Sequence, residues 1–528
     1  MTLKRIFLIL LTLVAIASSG LDLYESFQKP QFQSRIELYQ TDIQLQAASW
    51  KPDDSGDDSN FETLQKSLTG EKPFEAATKQ YQEVRESAKA NVAKIETELD
   101  KLSLENQTSN NQTSNDQTSI QRTSPQKIQL QKSLKDLREL VALLDLRLGI
   151  LQAKEGNTET AIETWSELQS IPEIEPEYSE TANVLSALWS EPPQILDNAK
   201  NLIKTDLEGW FRDTSLTQLY KSQQLNEPLI QVQQKAQKSA KQSLLKLGIV
   251  VSLPGMAGVT GIGILIFAIA QRIIKGKNSI LGQNSDVSWT IPWDSEIILQ
   301  VFVIGFFFAG QIMIGKFVMP ILGLTLSKII PLTNVRLQAF FVLLSYLLVA
   351  AGSLIVLYFS IKPFLPLKSD LFRFNFKDKW FLWGFGGYCA ALPIVLLVSA
   401  LNQQLWQGQG GSNPLLQLVL NSHDSLALGI FFSTAAIAAP LFEEFLFRGF
   451  LLPSLTRYIP TWGSILLSSF IFAAVHLSLS EILPLTALGM ILGFVYVRSR
   501  NLLAPMLLHS LWNSGTLMSL FILGSSTQ

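Results

Sequence analysis

A single cysteine, Cys389, occurs in 528 residues, so no intrachain disulfide can staple any part of the chain. It sits in an apolar run and reads as a small core residue, which leaves the redox compartment open. There is no excess of basic charge either: 42 Lys+Arg stand against 44 Asp+Glu, a net charge of −2. That balance speaks against nucleic acid as a partner and against any general attraction to acidic ligands. Histidine is scarce, with three in the whole chain. None belongs to an H-E-x-x-H pattern, in which one helix presents two zinc ligands and a base. Internal repeats of the kind that build secondary transporters are not evident.

What the chain has in quantity is apolar sequence, unevenly placed. Hydrophobic residues make up 47% of it, yet residues 22–245 are polar and most of the remainder suits a bilayer. Length alone would suggest about three soluble domains. A helix crosses the hydrocarbon layer with about 20 apolar residues. Runs approaching or exceeding that length stand at Leu247–Ala270, Ile297–Ile314, Leu337–Ile361, Trp380–Ala400, Leu426–Phe450, Ile465–Leu479, Leu485–Val497 and Leu502–Leu523. The expected fold class is all-α: a polytopic membrane helical bundle behind a soluble, mostly helical domain.

Residues 1–20 place Lys4 and Arg5 before the apolar run Ile6–Ala17, and Ala15-Ile16-Ala17 fits a small-residue cleavage site. This is a signal peptide or a signal anchor, and either one exports the residues beyond it. Residues 21–245 form the soluble domain. Within it, 105–126 carries the decaying repeat Asn106-Gln-Thr-Ser-Asn110, too polar to bury surface, and is expected to be disordered. Lys51–Asn60, rich in Asp and Ser, is a second loop. Residues 142–170 resemble a tetratricopeptide-like hairpin at Gly149, Gly156, Ala161 and Trp165. No second copy is found, and an ordinary αα-hairpin explains the same residues. A protein partner for this domain is an expectation of that pattern.

The chemistry gathers near the carboxyl end. Pro440-Leu-Phe-Glu443-Glu444-Phe-Leu-Phe-Arg448 puts three charges inside an apolar run. On insertion scales each charge at a span's centre costs about 2.5–3.5 kcal/mol. Glu444 and Arg448 are four apart, share a helix face and can pair; Glu443 points elsewhere and is left available. Phe472-Ala-Ala-Val-His476 and His509-Ser-Leu-Trp-Asn513 lie in further apolar runs, each pairing two residues one turn apart. Three helices can thus aim functional groups at one pocket, where a carboxylate and an imidazole activate water and a second imidazole with an amide holds an oxyanion. Taken singly, each has a structural reading: an acid–arginine pair or Asn513 as interhelical bonds, a buried histidine or Phe472 as packing. His423 falls beyond the end of the Glu443 run and reads as an interfacial or loop histidine.

Together these three motifs, from about Lys377 to Leu523, resemble the CPBP (Abi) family, which includes CAAX prenyl endopeptidases. The resemblance implies an intramembrane endopeptidase acting on a peptide or protein substrate at the membrane, CAAX-type among the alternatives. Carried over by motif position, Glu443 is the general base, Glu444 and Arg448 shape the site, and His476 assists the water. His509 and Asn513 stabilise the oxyanion. Glu443, His476 and His509 are also the residues that could ligate a divalent metal such as zinc, since a catalytic zinc takes three protein ligands and water; the family admits both a glutamate-type and a metalloprotease description. Residues 377–523 would be the protease core and 246–376 its preceding membrane helices. The alternatives are a catalytically silent scaffold whose soluble domain binds partners, and an ion- or proton-coupled transporter.

Loop charges set the orientation. With the amino end cytoplasmic, Arg272–Lys277, Lys362–Lys379 and Arg498–Arg500 fall inside, and the soluble domain lies on the non-cytoplasmic side; Lys316, Lys328 and Arg336 oppose this. The expected location is the plasma membrane or an internal, thylakoid-like membrane, with the lipid bilayer as an obligate partner.

Overall fold

The computed structural model describes residues 3–27, 33–52, 59–110, 125–169, 174–282, 288–326, 334–406, 410–411, 413–420, 422 and 424–524. Every regular element among them is helical, as the patterning predicts. His423, Lys328, residues 53–58 of the second loop and residues 111–124 of the expected disordered loop lie outside the described residues. The chain divides into two compact units, one built from 34–249 and the other from 1–33 with 250–524.

The polar unit contains α2 (Gln33–Ala48), α3 (Ser59–Thr69), α4 (Pro73–Asn110), α5 (Pro125–Lys154), α6 (Thr158–Leu168), α7 (Pro176–Trp189), α8 (Ala199–Asp206) and α9 (Gly209–Ser222). It also holds the first half of α10 (Asn226–Lys275). Residues 105–110 continue α4. Its core packs aliphatic side chains around Tyr81, Trp165, Trp210 and Phe211. In the α5–α6 hairpin a Cβ on Gly149 would stand 2.3 Å from Trp165 Nε1. Glycine is required there, and the indole then donates to the Leu146 carbonyl at 3.1 Å. Gly156 closes the hairpin at φ +92°, a conformation in which a side chain is strained.

The apolar unit contains α1 (Leu3–Phe27), the second half of α10, α11 (Ser295–Leu326), α12 (Val335–Ile361), α13 (Trp380–Trp406), α14 (Pro414–Leu420) and α15 (Ser425–Leu455). It closes with α16 (Thr461–Ala474), α17 (Ile482–Ser499) and α18 (Leu503–Gly524). Eight helices among the described residues are long and apolar enough to cross a membrane, namely α1, α10, α11, α12, α13, α15, α17 and α18, the last two with ends at Leu479–Ser499 and Leu503–Gly524. α16 departs from the run expected at Ile465–Leu479. It ends at Ala474 because the chain turns at 475–478, with Leu477 in the left-handed region at φ +55°. Fourteen residues rise about 21 Å, short of the hydrocarbon thickness of about 30 Å.

Polar contacts tie the helix ends together at both ends of the unit. At one end Arg5 Nε lies 3.1 Å from Glu296 Oε2, Arg457 donates to the Trp293 carbonyl, and Arg500 stacks 3.8 Å over Trp289. At the other, Ser26 bonds to Gly410, Arg336 to Asp424, and the Asn413 N–H to Glu481. Between these ends Phe306, Phe447, Phe450, Phe472 and Tyr496 make one aromatic core. Ala391, Val395, Leu488, Leu492 and Leu508 join α13, α17 and α18 in another.

Candidate active site

Glu443, Glu444 and Arg448 all sit on α15. Wide, π-type turns at Ser433–Ala438 and Phe445–Leu451 flank the two acids. Such turns loosen the regular backbone ladder and are frequent at functional sites. Two backbone carbonyls of the first turn are taken by α18: Ser510 Oγ donates to Ala436 O at 2.6 Å and Asn513 Nδ2 to Ala435 O at 2.7 Å. These bonds join the two helices over the turn that follows His509.

Glu444 is the hub. Its Oε1 accepts from Arg448 Nη1 at 2.8 Å and lies 2.8 Å from His509 Nδ1. An ionised carboxylate can only accept, which places a hydrogen on Nδ1 of His509. The other ring nitrogen, Nε2, faces Glu443 Oε2 at 3.9 Å. That gap is too long for a direct hydrogen bond and suits a bridging group. Arg448 is held from two further sides: Nη2 donates to the Gly489 carbonyl at 3.0 Å, and its guanidinium lies 4.6 Å from the centre of the Phe472 ring. A Cβ on Gly489 would stand 2.8 Å from Ser469 Cβ, so the small pair lets α16 and α17 approach and brings this carbonyl within reach.

Burial separates the two acids. The Glu444 and Arg448 side chains are fully enclosed, His509 is 5% exposed and Glu443 is 16% exposed. Glu443 is therefore the acid that reaches accessible space. Its second oxygen, Oε1, accepts from the Tyr346 hydroxyl of α12 at 3.0 Å.

His476 lies just beyond α16, with Nδ1 2.8 Å from the Phe472 carbonyl. A carbonyl accepts, so this nitrogen carries the hydrogen. Phe472 links His476 to the carboxylate cluster: its ring centroid is 5.1 Å from that of His476 and 5.8 Å from that of His509, edge-on in both cases. The structure thus bonds Glu444 to Arg448 and His509 and sets Glu443 3.9 Å from His509, with His476 across one aromatic ring and Asn513, one turn on from His509, bonded to the backbone of α15.

Among the described residues, no group of three His, Cys, Asp or Glu side chains is disposed to hold a metal ion. Glu443, His476 and His509 do not form such a group; the bonds to Glu444 and to the Phe472 carbonyl occupy Nδ1 of the two histidines and leave Nε2 as the outward-facing atom of each.

Sequence reasoning missed Tyr346, Gly489 and Ser510. Tyr346 had a signal, being a tyrosine in mid-span rather than in the interfacial belt where that residue concentrates. Ser510 stands beside His509, and Gly489 contributes only its backbone, which no motif could name.

Residues 425–515 match the profile of the family described as Type II CAAX prenyl endopeptidase Rce1-like. This match and the relatives that follow support the resemblance to the CPBP family carried by the motifs. It is 28% identical over 133 residues to the putative membrane peptidase YdiL of Bacillus subtilis (strain 168), covering 25% of this chain and 53% of that protein. It is 27% identical over 172 residues to the membrane-embedded CAAX protease MroQ of Staphylococcus aureus (strain USA300), covering 31% of this chain and 68% of that one. The chain thus spans about half the length of the first relative. No solved structure matches it. With eight helices able to cross a bilayer, this kinship makes the protein an integral, multi-pass membrane protein.

Proposed function

We propose that this protein is an intramembrane endopeptidase that hydrolyses peptide bonds of membrane-associated substrates, with Glu443 as the general base. One observation carries the reading: of two adjacent acids, Glu444 is enclosed and held by Arg448 and His509, whereas Glu443 is accessible and turns Oε2 toward His509 Nε2 at 3.9 Å. A water in that gap meets a carboxylate that takes its proton and an imidazole that orients it. As water adds to the peptide carbonyl, charge grows on the carbonyl oxygen. The imidazolium form of His509, its Nδ1 hydrogen on Glu444, donates to that oxygen from Nε2 and keeps its proton throughout; Asn513 adds a second amide hydrogen beyond the one given to Ala435. Glu443 returns the proton to the leaving amine. His476, fixed by its Nδ1 bond, offers Nε2 as an acceptor to the water. Glu444 and Arg448 orient His509 and balance one another's charge.

The relative MroQ is named a membrane-embedded CAAX protease, and CAAX-type substrates are accordingly the first to examine. The test is a comparison of the membrane proteome of a Glu443→Gln strain with its parent. An uncleaved precursor accumulating only in the variant is expected and names the substrate. An unchanged proteome with Glu443→Gln present at normal abundance overturns the reading and leaves a scaffold.

A further inference from the structure

Tyr346 lies on α12, outside the stretch that matches the family and 97 residues from the acid it touches. Its hydroxyl donates to Glu443 Oε1 at 3.0 Å, and the only other acceptor it approaches among the described residues is the Ala439 carbonyl, at 3.5 Å. The ring is set edge-on against Phe442, centroid to centroid 6.0 Å, so the hydroxyl is aimed by packing rather than free to swing. A carboxylate with one oxygen held in this way cannot rotate without losing the bond. Its other oxygen, Oε2, is the one facing His509.

We propose that Tyr346 is a positioning residue for Glu443, dividing the two carboxylate oxygens so that Oε1 is held by the hydroxyl and Oε2 is presented to the reacting water. The inference rests on the assignment of Glu443 as the base. Other titratable groups around this carboxylate are Glu444 and Arg448 on α15, His509 on α18, and His476 across Phe472. None of them bonds to Oε1, so the hydroxyl's effect is separable from theirs. Bonds from a neutral donor to an ionised group are stronger than neutral pairs, and misplacing a catalytic group by about 1 Å can cost on the order of 100-fold.

The decisive variant is Tyr346→Phe, which keeps the ring against Phe442 and removes only the donor. Two readouts are taken on the full-length protein in membranes. The first is the rate at which the hydrophobic carbodiimide DCCD modifies Glu443 at neutral pH, followed by mass spectrometry of the peptide. DCCD reacts with the protonated carboxyl, so loss of the donor should raise the rate severalfold, and Tyr346→Leu should raise it equally. An unchanged rate in Tyr346→Phe overturns the proposal, whatever the protein's activity. The second is turnover of the precursor identified with Glu443→Gln: kcat should fall about tenfold or more with KM unmoved, because the hydroxyl touches the base and not the substrate. A change confined to KM also overturns it. If Glu443→Gln accumulates no precursor while DCCD labelling still responds to Tyr346→Phe, the protease reading fails and the Tyr346–Glu443 coupling stands.

Discussion

Arg448 Nη1 lies 2.8 Å from Glu444 Oε1 with neither side chain exposed, and the pair is the polar centre of the apolar unit. Breaking a buried ion pair by removing one partner leaves an uncompensated charge and costs about 3–5 kcal/mol. Arg448→Met should therefore lower the protein's thermal stability and its abundance in membranes. Glu444→Gln combined with Arg448→Met should recover part of that loss, because neighbouring changes couple rather than add. Melting of the three variants in detergent measures this. A double variant as poor as the sum of the singles would mean that the two charges do not compensate one another.

Ser26 bonds the turn after α13 and the turn before α17 at once. Its Oγ donates to Gly410 O at 2.6 Å and accepts from the Leu479 N–H at 3.2 Å. At the far end of α1, Lys4 and Arg5 pair with Glu296, and Leu8 is buried between. A helix anchored at both ends is part of the bundle. The mature protein should retain residues preceding Ala17, as intact mass or amino-terminal sequencing would show. Ser26→Val, which loses both bonds, should lower melting by the equivalent of about 1–3 kcal/mol, the cost of leaving buried groups unpaired.

Much of the site was legible because helix geometry is local. Glu444 and Arg448 are one turn apart, and that spacing alone foretold their bond; the spacing within Phe472–His476 likewise foretold a shared turn. What spacing cannot carry is the partner on another helix. Nothing near Tyr346 in sequence says that its hydroxyl will reach Glu443, and nothing near Gly489 says that its carbonyl will receive Arg448. The end of α16 was hidden for a different reason: residues 465–479 are mostly apolar and only one of them, Leu477, takes the left-handed conformation, so hydropathy runs on past the end of the helix. In the polar unit, the Gly149–Trp165 contact was visible as a pattern, whereas the buried ion pairs were not.

The bundle's ends make a prediction about orientation. Lys4, Arg5, Arg457 and Arg500 belong to one set of end contacts, and positive charge favours the cytoplasm. Arg336, which stood against that orientation in the sequence, is paired with Asp424 at 2.8 Å, as Lys4 and Arg5 are with Glu296, so the assignment rests on Arg457 and Arg500. In a Cys389→Ala background, a cysteine at Glu155 of the polar unit should react with a membrane-impermeant maleimide in right-side-out vesicles. A cysteine at Lys377 should react only after the vesicles are opened. The reverse pattern would invert the assignment.

The polar unit offers a test by pH. Arg147 Nη1 lies 3.0 Å from Asp42 Oδ2, the Tyr81 hydroxyl donates to Asp42 Oδ1, and Arg147 also stacks 5.2 Å over Phe211. Burial pushes the Asp42 carboxyl above the usual range, and the Arg147 charge opposes that push. Arg147→Met keeps a long apolar stem on Phe211 and removes the opposing charge, so the folded-state value climbs further from its unfolded reference near about 3.9. A carboxyl raised on folding contributes stability that is complete below the unfolded value and lost as pH rises through the folded one. The variant's deficit should thus be largest at neutral pH, about 3 kcal/mol by analogy with other broken ion pairs. It should shrink toward pH 5 as Asp42 takes up a proton. Melting of parent and variant at pH 7.5 and pH 5 measures the difference. A deficit equal at both would show that lost packing, and not the bare Asp42 charge, is what the substitution exposes.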